Sequence, residues 1–503
     1  LKLREVSKPG IQCARAHNFL YPLNPKQLEH SHRRWLLLYM SSNWQHFSTA
    51  AVVGAAAGVA GVATWTLLQR SSDDTAGESL ATKGNRSKNI GYGARWTKPV
   101  VIAGTSGLEE LGSALSSALG CEKYNDAEGQ TVSMEKFKSG DPNLRFNWER
   151  LVGRKIIFLF DTVDQAALFE QLSLLQAFQG FAIPDPEDKQ SKWKTYTAQG
   201  KYTWGRASHI TVVLPWYRPC QMERTSRWSM KDGKWTNGDP NGQYLDVPTA
   251  QYMARLLATP GSVPPLPGPT RAQDDMPLHP LWRPPLELLF IELHEEAPIK
   301  HSVSDLGATM RMERFVPFFL ERFKSGSAYP GQENVYVLFP DRGAYARYQE
   351  AVVKVLALAT DHILYIEKTR VGDAIEQVQT LFYEKPGGQK GQKSSFNAAS
   401  DHVLIIDDFT NSGSTLFGAV SLCTQLAGGA ALAVSIFVSH LVATYDKEVV
   451  KKLQEKLHSL GPKCKFVTTN SVPETTNLLK NDPQVEVLSI ADFLAPLLAK
   501  DRR

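Results

Sequence analysis

Two adjacent aspartates stand at the end of an apolar run in VLIIDDFTNSGSTLFGAV, residues 403–420. Branched apolar residues precede Asp407 and Asp408, a turn of small polar residues follows, and then apolar residues resume. This order predicts a buried strand, a turn and a helix. A small-residue turn at a helix N-terminus offers N–H groups to an anion, whereas paired acids suit sugar hydroxyls or hydrated Mg²⁺. A strand end and a helix cap without any ligand would explain the same residues.

Charged residues also follow two other predicted strands. VYVLFP (335–340) leads into Asp341, and ILYIEK (363–368) carries Lys368, with Arg370 two positions later. In open parallel sheets, ligands bind beyond the carboxyl ends of the strands. We therefore expect one crevice to hold several carboxylates, a lysine, an arginine and the small-residue turn.

Strand-like and helix-like segments alternate along most of the chain and form two series. The predicted strands are residues 99–104, 155–160, 210–216 and 286–294 in the first series, and 335–340, 363–368, 403–408, 432–440 and 464–470 in the second. Continuous apolar strands that alternate with helices indicate parallel sheets covered on both faces. We predict an α/β protein with two tandem domains, residues 97–310 and 311–503, in which 183–208 and 258–285 are polar or proline-rich insertions.

The N-terminal part of the chain has a different composition. Residues 1–49 contain seven Lys or Arg and only two acids, which is typical of an organelle presequence, and Met40 is an alternative start. Residues 50–68 carry no charge over nineteen positions, enough for a helix that just spans a bilayer. We expect a single transmembrane helix there and a polar linker at 69–96. A cleaved targeting segment is the alternative for 50–68.

Composition limits the protein class. A length of 503 residues suggests two or three domains, and the net charge of +5 gives no support to nucleic-acid binding. The five cysteines are scattered without a CxxC pair. We therefore expect neither a disulfide framework nor a zinc site, and a reducing compartment fits best.

The strand and turn at 403–415 resemble the phosphoribosyl diphosphate (PRPP) loop of the type I phosphoribosyltransferase fold. The resemblance implies that Asp407 and Asp408 contact ribose hydroxyls. It also implies that the turn binds the 5-phosphate through Asn411, Ser412, Gly413, Ser414 and Thr415.

The remaining motifs narrow the resemblance to ribose-phosphate diphosphokinases (PRPP synthetases), particularly the divergent plant-type class. VLFPDRGAYARY resembles that family's PD-x-G-A segment and ILYIEKTR resembles its strand with a Lys-x-Arg pair. These matches imply a catalytic role for Lys368 and Arg370 and a metal role for Asp341. LLFIELHEEAP resembles the segment whose histidine, His294 here, serves a metal bound to ATP.

The resemblance also implies an ATP site in the first series. MEKFKSGDPNLRF is similar to the adenine-binding loop, with Phe137 stacking on the base and Asp141 and Asn143 holding the nucleotide. VVLPWYRPCQMERT is similar to the strand end that contacts ATP, which implies roles for Arg218 and Gln221. The ordered matches extend over about residues 97–495.

The implied reaction transfers diphosphate from ATP to ribose 5-phosphate, with Mg²⁺ as cofactor, and gives PRPP and AMP. The alternative is a catalytically reduced structural or regulatory subunit of an organellar membrane complex. A phosphoribosyltransferase that consumes PRPP would need only one such domain. We expect a homo-oligomer or a complex subunit, no nucleic acid, and a single-pass location in the mitochondrial inner membrane or, as second choice, a plastid membrane.

Four departures from the family pattern bear on activity. An amide, Asn411, stands at the start of the phosphate turn, and a large cation, Arg342, follows Asp341 and is expected to face the site. Glu292 replaces an aspartate two residues before His294. The long polar segment 384–401 separates the catalytic strand from the phosphate turn.

Overall fold

The computed structural model describes residues 98–121, 125–126, 129–130, 132–184, 202–205, 207–223, 229–231, 234–236, 246–259, 284–326, 329–370 and 377–500. For residues 125–126, 129–130, 181–184, 202–205, 229–236, 368–370, 377–379 and 500 the description covers the backbone only. These residues belong to one structural unit, Asn89–Arg503. The predicted presequence, transmembrane helix and linker lie outside the described residues.

A five-stranded parallel sheet forms the centre of the first half, by which we mean the described residues from 98 to 313. The sheet has the order β1-β6-β9-β12-β13. Its strands are β1 (Val100–Ala103), β6 (Lys155–Leu159), β9 (His209–Leu214), β12 (Leu286–Ile291) and β13 (Ala308–Glu313). The apolar runs predicted as strands are buried, because helices and loops cover both faces of a parallel sheet.

Short hairpins and four helices complete the first half. The hairpin strands are β2 (Asn125–Asp126), β3 (Gly129–Gln130), β4 (Val132–Lys136), β5 (Pro142–Phe146), β7 (Phe181–Pro184), β8 (Tyr202–Gly205), β10 (Ser229–Lys231) and β11 (Lys234–Thr236). The helices are α1 (Glu109–Leu119), α2 (Leu168–Phe178), α3 (Thr249–Ala258) and α4 (Glu296–Val303).

An eight-stranded sheet forms the centre of the second half, the described residues from 315 to 500. Its order is β17-β16-β15-β14-β18-β19-β20-β21. The strands are β14 (Val335–Phe339), β15 (Ile363–Arg370), β16 (Gln377–Glu384), β17 (Lys390–Lys393), β18 (His402–Thr410), β19 (Ala433–Leu441), β20 (Cys464–Thr469) and β21 (Val485–Leu488). The helices are α5 (Phe315–Ser325), α6 (Arg342–Leu356), α7 (Ser414–Leu426), α8 (Lys447–Ser459), α9 (Pro473–Thr476) and α10 (Ile490–Lys500).

The expectation of a purely parallel second sheet is wrong at one edge. β16 pairs antiparallel with both β15 and β17, so the polar segment 384–401 contributes a hairpin strand. The hairpin turn contains Gly387 and Gly388 at φ 90° and 81°, a backbone region that glycine enters without strain. Part of the polar segment is therefore an ordered hairpin at the edge of the sheet.

The two halves share a hydrophobic core. One cluster includes Leu111 and Leu115 of α1, Phe437 of β19, and Phe493 and Leu494 of α10. The C-terminal helix α10 thus packs on the first helix of the first half. Within the described ranges, none of the helices has both the length and the apolarity that crossing a membrane requires.

Candidate functional site

The small-residue turn after β18 contains a glycine in the left-handed region. Gly413 lies at φ 72°, and its N–H donates to Thr410 Oγ1 at 3.2 Å. A Cβ on Gly413 would lie 2.7 Å from Phe417 Cε2, so the turn has no room for a larger residue. Glycine is therefore required here by both the positive φ and the packing.

The turn leads directly into α7, a helix of 13 residues. Ser412, Ser414 and Thr415 are exposed, and Asn411 is partly exposed. Gly413, the N-cap residue of α7, has no side chain to cap the helix, and Ser412 Oγ accepts from Ser414 N at 3.4 Å. N–H groups further along the first turn and the positive end of the helix dipole can bind an anion.

The two aspartates at the end of β18 have different environments. Asp408 is buried and forms an ion pair with Arg347 of α6, whose guanidinium lies 5.5 Å from the Tyr348 ring centroid. Burial raises the pKa of Asp407 well above its ordinary value, and the nearby charges of Asp408 and Asp341 raise it further. Asp408 is thus neutralised by an arginine, whereas Asp407 is the member of the pair without such a partner among the described residues.

Asp341 begins α6 beside these acids. Its Oδ1 accepts a hydrogen bond from Ala344 N at 2.8 Å, which is the geometry of a helix N-cap. Arg342 does not pair with the acids at the end of β18. Its guanidinium lies 3.6 Å from Glu384 Oε1; Arg342 is exposed and Glu384 is partly exposed. The expected intrusion of this cation into the site is therefore not what the structure shows.

His294 connects the first half to the end of β18. Its Nδ1 lies 3.3 Å from Oε1 of the buried Glu223, and its ring centroid lies 5.9 Å from that of Phe409, the residue after Asp408. The hydrogen bond with Glu223 raises the pKa of His294, and burial opposes that rise. The structure thus brings the predicted histidine and the predicted acid pair together.

Glu292 turns into the protein interior two residues before His294. It is 1% exposed and lies at φ 49°. Oε2 accepts from Phe315 N at 2.7 Å, and Oε1 accepts from Tyr348 OH at 2.9 Å. Burial raises the pKa of Glu292, against the effect of the Tyr348 hydrogen bond. This residue therefore ties β12 to the start of α5 and the middle of α6 rather than binding a ligand.

The three residues predicted to hold adenine lie in one hairpin. Phe137 follows β4 and is 55% exposed, and its N–H donates to Asp141 O at 2.9 Å. Asp141 Oδ2 accepts from Ser139 Oγ at 2.7 Å, and Asn143 Oδ1 accepts from Arg145 Nε at 3.4 Å. An exposed aromatic ring at the tip of a hairpin is available to stack on a planar partner.

The remaining predicted residues lie at two strand ends. Arg218 follows β9, and its Cζ lies 4.4 Å from the Tyr445 ring centroid, whereas Gln221 is exposed. Lys368 and Arg370 lie on β15 opposite Gln379 and Gln377 of β16. The parallel pairing of β15 with β14 ends at Tyr365, so Lys368 lies three residues beyond it, about 10 Å along the strand.

Comparison with known proteins gives consistent relatives at low identity. No family model matches the chain. Ribose-phosphate pyrophosphokinase 4 of Oryza sativa subsp. japonica is 24% identical over 373 residues, covering 73% of this chain and 87% of that protein. Ribose-phosphate pyrophosphokinase 4 of Arabidopsis thaliana is 25% identical over 379 residues, covering 73% and 84%.

A solved structure decides the fold. Phosphoribosylpyrophosphate synthetase from Mycobacterium smegmatis superposes with a TM-score of 0.50 at 18% identity, covering 81% of this chain and 98% of that one. The chain has a PRPP synthetase-like phosphoribosyltransferase fold. The resemblance stated from the motifs is thereby confirmed, and the strand ends described above lie on this fold.

Several residues that contact the candidate site are absent from the sequence predictions. They are Glu223, Arg347, Tyr348, Trp216 and Tyr445. Their side-chain hydrogen bonds to other residues of the site join positions that are 56 to 229 residues apart in the chain. An arginine six residues after the strand-end Asp341 is the one local signal that could have indicated Arg347.

The donor chemistry of the site fits Mg²⁺. In sites that hold nucleotides, Mg²⁺ takes one or two carboxylates and fills its other positions with phosphates and water. Asp341 uses Oδ1 as a helix cap and keeps Oδ2 without a partner among the described residues, and His294 keeps Nε2. Across the described ranges, no three His, Cys, Asp or Glu side chains converge to hold a metal ion.

Proposed function

We propose that this protein is a ribose-phosphate diphosphokinase that converts ATP and ribose 5-phosphate to PRPP and AMP. The observation that carries the proposal is the strand, turn and helix at 403–426. There a half-buried acid, Asp407, is followed by a left-handed glycine and the N-terminus of a helix. This combination suits a ligand with hydroxyls at one end and a phosphate at the other.

The proposed reaction joins the C1 hydroxyl oxygen of ribose 5-phosphate to the β-phosphorus of ATP. The bond from that phosphorus to the oxygen shared with the α-phosphorus breaks, AMP leaves with that oxygen, and the hydroxyl proton goes to solvent. Bound Mg²⁺ would supply charge stabilisation at the phosphates. We assign Lys368 and Arg370 to the charge that develops on the β and leaving oxygens, which is electrostatic rather than covalent catalysis.

We assign residues to each part of the two substrates. Asp407 accepts hydrogen bonds from ribose hydroxyls, and Ser412 to Thr415 bind the 5-phosphate. Phe137, Asp141 and Asn143 hold the adenosine part, with Arg218 and Gln221 near its phosphates. Asp341 and His294 are the residues that would hold Mg²⁺. Asp408 acts through Arg347 by fixing the end of β18, because its charge is already compensated.

Purified protein with ATP, Mg²⁺ and ribose 5-phosphate tests the proposal. We expect AMP release that depends on ribose 5-phosphate and does not occur with ribose, because ribose lacks the phosphate that the turn binds. No AMP above background, together with no calorimetric binding of ribose 5-phosphate, would contradict the proposal.

A catalytically reduced subunit of a membrane complex is the second candidate. The neutralised Asp408 favours it, because an acid engaged by Arg347 contributes less to a sugar. This candidate predicts binding of ribose 5-phosphate without AMP release, and release of a partner protein or complex on mild detergent extraction.

We also propose that residues 50–68 anchor the protein in an organelle membrane, with the mitochondrial inner membrane as first choice and a plastid membrane as second. The support is the uncharged run of nineteen residues after a basic, acid-poor segment. Carbonate extraction of isolated organelles should leave the intact chain in the membrane pellet. Recovery of the intact chain in the supernatant would refute the anchor.

A further inference from the structure

The turn after β19 has an unusual backbone. Ala443, Thr444 and Tyr445 lie at φ 45°, 50° and 57°, three successive non-glycine residues in the left-handed region. This conformation crowds the Cβ atom, and it persists where surrounding contacts determine it. Tyr445 N donates to Val442 O at 2.8 Å and Asp446 N donates to Ala443 O at 3.0 Å, so the turn holds Tyr445 in one place.

The hydroxyl of Tyr445 is bound by the first half. Trp216, two residues beyond β9, donates its indole N–H to Tyr445 Oη at 2.8 Å and is only 4% exposed. The Trp216 ring also lies 4.5 Å from the ring of His440 and 5.7 Å from that of Phe409. Because Phe409 follows Asp408, this cluster lies next to the acid pair.

The ring of Tyr445 supports Arg218. The guanidinium carbon lies 4.4 Å from the ring centroid, and the backbone N–H of Arg218 donates to Thr162 Oγ1 at 2.9 Å. Among the described residues no carboxylate forms an ion pair with Arg218. A guanidinium that stacks by its face keeps its N–H groups directed outward in its own plane, where a phosphate can accept from two of them.

We propose that Tyr445, a residue of the ribose-phosphate half, is a positioning residue that holds Arg218 of the other half as a binding group for the phosphates of the nucleotide. The inference rests on the proposed function and deepens it. It makes nucleotide affinity depend on a contact between the halves, because the ring comes from the turn after β19 and the cation from the end of β9.

The test measures binding of α,β-methylene-ATP with Mg²⁺ by calorimetry, and the KM for ATP and for ribose 5-phosphate, on the full chain. Tyr445→Leu removes the ring, and we expect a threefold to thirtyfold loss of nucleotide affinity with kcat and the KM for ribose 5-phosphate unchanged. Tyr445→Phe keeps the ring, and we expect it to restore nucleotide affinity. The Phe variant should still lower the thermal midpoint, because the indole N–H of Trp216 loses its acceptor.

Two further variants separate this role from general destabilisation. Tyr336→Leu deletes a ring that lies 3.9 Å from Lys393 Nζ, so it removes the same kind of contact elsewhere. It should lower the thermal midpoint without changing nucleotide affinity. Arg218→Gln should weaken nucleotide binding, and adding Tyr445→Leu to it should weaken binding no further, because the ring then has no cation to hold.

The outcomes are distinguishable. Nucleotide binding that is unchanged in Tyr445→Leu would overturn the inference and leave the proposed function intact. Equal losses in Tyr445→Leu and Tyr445→Phe, or equal losses for both substrates, would indicate a purely structural contact and would also overturn it. A native chain that binds no nucleotide would contradict the proposed function and this inference together.

Discussion

The two halves of the candidate site are built in different ways. The ribose-phosphate side, by which we mean the part proposed to bind ribose 5-phosphate, is one continuous strand, turn and helix, in which Asp407, Gly413 and the start of α7 are near neighbours in the chain. The ATP side, the part proposed to bind ATP, combines a hairpin, a strand end and a histidine, and its contacts include partners from distant positions in the chain. A locally built site depends on turn geometry, whereas an assembled site depends on contacts between elements.

Loss of Lys368 should have the largest effect on turnover. We expect Lys368→Ala to lower the rate of AMP release by about 10²–10³, because it removes a group that stabilises charge in the transition state. Binding of ribose 5-phosphate should be unchanged, since the turn at 411–415 is intact. Lys390→Ala is the matched control: Lys390 pairs with Glu367 on the same edge of the sheet and should matter little. A change below about threefold for Lys368→Ala would show that the catalytic assignment is wrong.

Loss of Arg347 should have the largest effect on stability. Arg347→Ala leaves the buried carboxylate of Asp408 without its cation, and breaking such a pair costs about 3–5 kcal/mol. Urea unfolding measures the change. Arg322→Ala, which breaks an exposed pair with Glu486, should cost less than about 1 kcal/mol. Similar small losses for both variants would mean that the ion pair does not fix the end of β18.

The segment 403–415 and Arg347 show how much of the candidate site could be predicted from the sequence alone. The apolar run, the acids and the small-residue turn at 403–415 lie within one local segment, so their pattern was enough to predict the strand, the turn and the helix. Arg347 and Asp408 are 61 positions apart, and Trp216 and Tyr445 are 229 apart. No local pattern specifies contacts of that range, since they depend on how elements pack.

The secondary structure shows the same difference between features set by local sequence and features set by long-range contacts. Buried parallel strands were predictable from their apolar runs, whereas the edge strand β17, KGQK, has no apolar residue and is held by pairing with β16. In the sequence Glu292 was likewise visible only as a replacement of the family's aspartate. Its capping role became visible only with Phe315 and Tyr348 in place.

Substitution of Gly413 tests whether the ribose-phosphate side depends on the geometry of its own turn. Gly413→Ala adds a Cβ at φ 72° and within 2.7 Å of Phe417 Cε2. We expect a loss of about 2–3 kcal/mol in stability and a weaker affinity for ribose 5-phosphate in calorimetry. Gly428→Ala is the control, because its φ is 68° and no atom lies within 4 Å of the added Cβ. It should cost only about 1 kcal/mol and leave the affinity unchanged; equal effects would mean that the packing of the turn is irrelevant.

Substitution of Asp482 should have the smallest effect on stability. That effect should depend on pH, because the groups that contact this carboxylate lower its pKa. Burial alone would raise its pKa, but hydrogen bonds from Gln484 N, Gln454 and His458 lower it below the ordinary value. A lowered folded-state pKa means that the stabilisation is complete above the unfolded pKa of about 4 and is lost as pH falls through the folded value.

We therefore expect the stability difference between the native chain and Asp482→Asn to be largest at neutral pH and to shrink as pH falls below about 4. Urea unfolding at several pH values measures it. Gln454→Leu removes one of the three donors and should show a smaller difference with the same trend. A difference that does not change with pH would show that the ionised carboxylate of Asp482 is not what stabilises this region.

Diphosphoryl transfer is tested most directly by following the β-phosphorus of ATP. With ATP labelled at that atom, Mg²⁺ and ribose 5-phosphate, we predict that the label appears in PRPP and that the AMP is unlabelled and equal in amount. Label that stays in ADP, or appears only in inorganic phosphate, would contradict diphosphoryl transfer and with it the proposed function.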